Sequence, residues 1–164
     1  MGLGYDPVKA VRSLAKADPI LGKLMEQVGP PELTSPDRLN PFQYLIRCII
    51  YQQLSGKAAQ TIYLRVQALF PGQRSTRPEQ ILKMNDSLLR GAGMSRAKTV
   101  AVKDLAEKTI SKIVPSGSKL RKMEDEEIIE RLVQVHGIGV WTVQMLLLFM
   151  LGRPDVLPVK DLGV

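Results

Sequence analysis

The sequence predicts an all-α fold. Three observations carry this: apolar residues recur at helical spacing along nearly the whole chain, Asp, Asn and Ser stand repeatedly where helices start, and strand signals are nearly absent. Residues 157–159 are extended at most, flanked by Pro154 and Pro158. The 164 residues, 45% hydrophobic and 24% charged, fit one soluble domain, or two small helical lobes sharing a core.

A first helix is expected over 7–15, with Asp6 as N-cap and Pro7 in the first turn, where its missing N–H has no partner to lose. Asp18 and Pro19 open a second helix that ends near Val28, stopped by Gly29, Pro30 and Pro31. Residues 29–40 read as a loop rich in Pro, Ser and Asp. Asn40 caps a helix over 41–53, in which Phe42, Leu45, Ile46, Ile49 and Ile50 share one face. Ser55 caps 56–70, with Ala58, Ile62 and Val66 every four residues, and Pro71 and Gly72 end it. A short helix covers 78–84, and Asp86 caps another that stops at Gly91. Ser95 caps a longer one running to about Lys112, and 115–118 is a loop. Glu124, Asp125, Glu126 and Glu127 begin a helix reaching Val135, where acids complement the positive end of the helix dipole. Gly139 begins the last long helix, which stops at Gly152.

The 23 Lys and Arg against 16 Asp and Glu leave a net charge of +7, a balance that suits a polyanionic partner, most simply nucleic acid. One cysteine, Cys48, and one histidine, His136, exclude an intramolecular disulfide, a zinc finger and a four-cysteine iron–sulfur cluster. Cys48 lies in the apolar run 46–51 and reads as a buried thiol. Residues 1–10 have no apolar core of the kind a signal peptide needs, and the longest apolar run, 145–151, falls far short of a membrane span. The expectation is a monomeric protein of the cytoplasm, associated with the nucleoid.

The informative segment is 132–143, L-V-Q-V-H-G-I-G-V-W-T-V. A helix ends, Gly137-Ile138-Gly139 turns the chain, and a new helix starts. Glycines permit positive φ and close backbone approach, and the free N–H groups after the turn can bind a phosphate without reading sequence. Ile138 would plug the turn into the core. A bare Gly-x-Gly connector with no ligand is the competing reading. Gly93-Met94-Ser95 followed by a helix is a weak echo of the same design.

H-G-I-G-V-W-T-V-Q-M-L-L-L-F (136–149) resembles the helix-hairpin-helix of the base-excision DNA glycosylases. The Pro-rich stretch 154–164, P-D-V-L-P-V-K-D-L-G-V, looks like the loop that carries that family's essential Asp. I-I-Y-Q-Q-L-S-G-K-A-A (49–59) and G-A-G-M-S-R-A-K (91–98) resemble its 3-methyladenine DNA glycosylase branch. The resemblance runs from about Asp18 to the end. It implies two helical lobes with the active site between them, damaged double-stranded DNA as partner, and hydrolysis of the N-glycosidic bond of alkylated purines. It implies Asp161 as catalytic carboxylate, and Trp141, Tyr51 and Phe42 as candidates for the base pocket. DNA contacts are expected at His136, Gly137 and Gly139 in the hairpin, and at Gln53, Ser55, Lys57, Ser95 and Lys160; Gln53 matches where the family inserts a wedge into the vacated stack. No cofactor is implied beyond a monovalent cation at the hairpin.

For the role that the resemblance implies, chain lengths favour Asp161 over Asp155. Twelve residues of helix, 140–151, rise about 18 Å. Six extended steps from Asp155 to Asp161 span about 20 Å. A strand folding back antiparallel therefore brings Asp161 beside the helix start and leaves Asp155 at the far end. As residues alone, Asp161 better suits a helix N-cap before Leu162 and Tyr51 and Phe42 core positions, while Trp141 equally suits the core and Gln53 an exposed turn.

Superfamily members that also nick the strand carry a lysine two residues after the second hairpin glycine, and here that residue is Trp141. The resemblance thus implies a glycosylase without lyase activity, in which Trp141 could stack on a cationic base. Two departures stand out. Lys160 sits where close relatives often have a second acid, so that it could contact phosphate or pair with Asp161. The sequence stops at Val164, where the family usually continues with a closing helix. The competing functions are a non-catalytic hairpin module that binds DNA, a glycosylase for uracil, hypoxanthine or ethenoadenine, and a basic interaction protein with no nucleic-acid role.

Overall fold

The computed structural model describes residues 5–29, 40–71 and 76–163, and every regular element among them is helical. The loop expected at 30–39 and the stop at Gly72 lie outside the described residues. The helices are α1 (Pro7–Ala17), α2 (Pro19–Val28), α3 (Pro41–Tyr51), α4 (Gly56–Ala68), α5 (Pro78–Lys83), α6 (Asp86–Gly91), α7 (Arg96–Ile110), α8 (Gly117–Leu120), α9 (Asp125–Leu132) and α10 (Val140–Leu146). No helix among them is long and apolar enough to cross a membrane.

Local chemistry starts most of these helices where expected. Asp6 accepts the Val8 and Lys9 N–H groups, Asp18 those of Ile20 and Leu21, Asn40 that of Gln43, and Ser95 that of Lys98. Each bond satisfies a donor that the first helical turn leaves without a partner. Five expectations need correction. The helix expected to reach Val135 ends at Leu132. Asn85, not Asp86, caps α6, its side chain accepting from Ser87 N–H. The helix expected to reach Gln53 ends at Tyr51, because Gln53 takes a φ of 55° that no α-helix continues. The loop at 115–118 already contains the start of α8. The last helix is not α-helical throughout: it widens into a π-turn over Leu147–Leu151, and left-handed Gly152 ends it with its N–H on the Leu147 carbonyl.

One hydrophobic core runs from Phe42 to Met150. Helix α7 is its axis, packed by α3, α5 and α6, while α10 leans on α3 and α9. Leu45, Ile49 and Ile50 of α3 and Val102 and Leu105 of α7 are fully buried, each contributing roughly 1.5–3 kcal/mol relative to an exposed position. Helices α1 and α2 pack chiefly on each other and place no large side chain in this core.

The weak echo in the sequence is a repeated structure. Gly93 (φ 107°) and Gly137 (φ 77°) each turn the chain in a conformation that disfavours a side chain. Each is followed by a buried plug, Met94 or Ile138, and then by a helix, α7 or α10. The second turn lies against the helix that follows the first, since a Cβ on Gly137 would lie 3.3 Å from the Ala101 Cβ on α7.

Candidate active site

A cleft of about 550 Å³ opens between the end of α3, the start of α7 and the hairpin turn, lined by Tyr51, Gln53, Ser95, His136, Gly137 and Trp141 among others. Six of the residues expected to form the base pocket or touch DNA thus share one cavity. Phe42 does not: it is 4% exposed, in the core, and its assignment to the pocket is corrected. It lies about two helical turns before the cleft-lining end of α3 and is buried in the core with Leu45. Ser55 and Lys57 are exposed at the start of α4, and Lys160 is exposed near the far end of the return loop.

Trp141 is 43% exposed, so it is not a core residue. It is the second residue of α10, and its indole N–H donates to Asp161 Oδ2 at 2.6 Å. The return loop therefore closes as the length argument predicts, with Asp161 beside the start of α10. The loop does not stay extended to its end: Asp161 N–H donates to the Pro158 carbonyl at 2.8 Å, in a turn. The second carboxylate oxygen accepts Gly163 N–H at 2.8 Å. These two donors, Gly163 first and Trp141 second, hold the Asp161 carboxyl below the usual carboxylate range. Among the described residues no ion pair joins it to Lys160.

The loop is anchored at its other end by Arg153. Its guanidinium donates to the Met123 carbonyl at 2.7 Å and pairs with Asp125 at 3.1 Å, a contact that is not aligned as a hydrogen bond. Burial raises the Asp125 pKa; Arg153 opposes this, and the neighbouring acids add to it.

The residues that assemble the cleft mouth were not singled out by sequence. Lys98 Nζ donates to the carbonyls of Ile50 and Gln52, both at 2.8 Å, tying α7 to the C-terminal end of α3; burial lowers its pKa. Gln52 Nε2 donates to the Gly137 carbonyl at 2.9 Å, tying the same turn to the hairpin. The available signal was that Gln52 and Lys98 both stand inside the stretches 49–59 and 91–98 that carry the resemblance. Asp104, also missed, accepts the His136 backbone N–H at 2.6 Å and the Lys108 ammonium at 2.7 and 2.8 Å. Burial alone would raise its pKa, but Lys108 and the His136 amide bring it below the ordinary value. Tyr51 is steadied by a hydrogen bond to Gln60 and by Arg47 over its ring, 5.2 Å from the centroid. Cys48 reaches the cleft wall, and burial pushes its thiol up to about 11, so it is not a nucleophile at neutral pH.

A hairpin, an adjoining cleft and a carboxylate returned to the start of the hairpin's second helix form one constellation. The family model for the HhH-GPD superfamily of base excision DNA repair proteins matches residues 46–164. The chain belongs to that superfamily. Its place within the HhH-GPD proteins is the 3-methyladenine DNA glycosylase branch. It is 40% identical over 130 residues to DNA-3-methyladenine glycosylase 1 of Schizosaccharomyces pombe, covering 79% of this chain and 57% of that protein. A solved 3-methyladenine DNA glycosylase of S. pombe in complex with abasic DNA superposes with a TM-score of 0.84 at 38% identity, over 94% of this chain and 76% of that one. A DNA-3-methyladenine glycosidase from Bacillus halodurans superposes with a TM-score of 0.83, also at 38% identity, over 98% of this chain and 70% of that one. The chain thus spans little more than half of the S. pombe relative's length. The superfamily match begins inside α3, so α1 and α2 lie outside it, as they lie outside the core.

Proposed function

We propose that this chain is a DNA glycosylase of base excision repair that hydrolyses the N-glycosidic bond of alkylated purines, such as 3-methyladenine and 7-methylguanine, rotated out of double-stranded DNA. The observation that carries the reading is the Asp161 carboxylate, held ionised by two N–H donors at the start of the hairpin's second helix, beside a cleft with Trp141 and Tyr51 in its wall.

The chemistry follows from the charge that develops. Breaking the bond leaves its electron pair on the base and builds positive charge on the deoxyribose. A purine alkylated at N3 or N7 is cationic, so it departs neutral and needs little acid help. The Asp161 carboxylate stabilises the sugar cation electrostatically and accepts a proton from the water that adds to it. Rotating the target out of the stack costs a few kcal/mol, less for a damaged pair. With Trp141 in place of a lysine, and the Lys98 ammonium tied to the Ile50 and Gln52 carbonyls, no Schiff base forms and the reaction stops at an abasic site. Nothing in this sequence of steps calls on a metal or organic cofactor. The +7 net charge, with Lys57 and Lys160 exposed, supports binding to the DNA backbone.

The test is release of free 7-methylguanine and 3-methyladenine from methylated duplex DNA, with Asp161→Asn in parallel. Release by the wild type, reduced at least about a hundredfold in the variant at unchanged DNA affinity, is the expected result. A wild-type chain that binds this DNA and frees neither base defeats the reading.

A further inference from the structure

We propose that Trp141 is a positioning residue that aims the Asp161 carboxylate through its indole N–H, rather than primarily a surface on which the base stacks. The proposal deepens the glycosylase reading and rests on it. The geometry is specific. An indole carries one polar atom, a donor, and here it lies 2.6 Å from Asp161 Oδ2. Charge-assisted bonds of this length are the stronger class of hydrogen bond. The Gly163 N–H takes the other oxygen, so each carboxylate oxygen has one fixed donor and the group cannot rotate without losing both.

The two donors differ in how they are held. Gly163 belongs to the same loop as Asp161 and moves with it. Trp141 is on α10, whose neighbouring residues Thr142 and Val143 are buried in the core. Among the described residues, only the Trp141 bond ties the carboxylate to the rigid part of the fold, and to the hairpin. The same ring lines the cleft, so its edge is committed to the carboxylate while its surface remains in the wall. The Gly163 amide and the Trp141 indole lower the Asp161 pKa, and among the described residues Lys160, its neighbour in sequence, makes no ion pair with it. This also gives a chemical reason for an aromatic donor at the position where lyases carry an amine. A neutral N–H orients a carboxylate without offering a nucleophile or cancelling its charge.

The chain has a single tryptophan, so the indole N–H gives one unambiguous resonance in a 15N-labelled sample of the 164-residue protein. That resonance is expected to follow a single acidic titration, with a midpoint below the ordinary carboxylate range, and to lose it in Asp161→Asn. A resonance that stays flat through the acid range, or that titrates equally in Asp161→Asn, overturns the assignment, and neither result depends on catalysis. Kinetics supply the second arm. Trp141→Phe keeps an apolar ring and removes only the donor. It is expected to lower kcat for base release on the order of tenfold at unchanged KM, the low end for a bond to a charged group at an exposed rim. It should also move the acid limb of the pH profile upward, and have no further effect on an Asp161→Asn background. A rise in KM with kcat and the acid limb unchanged would make Trp141 a stacking surface and refute the proposal. Base release that survives Asp161→Asn defeats the glycosylase reading itself. An enzyme sensitive to Asp161→Asn but indifferent to Trp141→Phe defeats the Trp141 role alone.

Discussion

Replacing Gly137 by alanine isolates what the hairpin turn demands of its backbone. A side chain there meets two costs. The φ of 77° lies in the left-handed region, where an L-residue costs roughly 1–2 kcal/mol. The added Cβ would stand 3.3 Å from the Ala101 Cβ. Both atoms are attached directly to backbone, so neither can swing aside and the hairpin must slide on α7, at about 1 kcal/mol. Against these, alanine restricts the unfolded chain and recovers about 0.4–1 kcal/mol. The expected net loss is about 1–2.5 kcal/mol, or on the order of 3–8 °C in Tm for a domain of this size. Urea unfolding followed by circular dichroism measures it. Ala101→Gly in the same background separates the two costs, because it removes the crowding and leaves the φ strain. A coupling of about 1 kcal/mol between the two substitutions is expected. A Gly137→Ala variant within about 0.5 kcal/mol of the wild type would refute the argument from φ. A coupling near zero would refute the packing of the hairpin on α7.

Three further outcomes follow from the contacts around the cleft. Lys98→Met leaves the Ile50 and Gln52 carbonyls without their donor, and a loss of about 1–2 kcal/mol in urea unfolding is expected; a variant as stable as the wild type would mean that the bond network at the mouth is idle. Asp104 has its pKa lowered in the folded state, so its contribution is present above the unfolded carboxyl value and is lost as pH falls through the lower, folded one. The stability difference between wild type and Asp104→Asn should accordingly be seen at neutral pH and close at strongly acid pH, and a difference that persists there would show that the carboxylate's charge is not its source. Lys57→Ala and Lys160→Ala should each weaken duplex binding uniformly across sequences and flatten the slope of log affinity against log salt by about one; unchanged slopes would remove those residues from the interface.

Much of this protein was decided by its sequence. Helix starts are local events: a side-chain oxygen at Asp6, Asp18, Asn40 or Ser95 reaches N–H groups two or three residues on, and nothing distant is consulted. The core face of α3 and the repeated Gly–plug–helix turns are equally local, since apolar periodicity and a glycine's tolerance of positive φ are properties of a few neighbouring residues. Even the placement of Asp161 followed from counting chain length down a helix and back. What only the tertiary structure decided are the contacts whose partners lie far apart in sequence. Lys98 meets the Ile50 carbonyl across 48 residues, Asp104 the His136 amide across 32, and Gln52 the Gly137 carbonyl across 85. Phe42 shares the helical face that a pattern assigns to the core, and only packing shows that it stops below the cleft while Tyr51 reaches it. The π-turn at 147–151 falls in a run of large apolar residues, L-L-F-M-L, whose composition suits an α-helix equally well. The physical reason is common to all of these: a cap is specified by residues within one turn of itself, whereas a cleft exists only where separate elements stop touching.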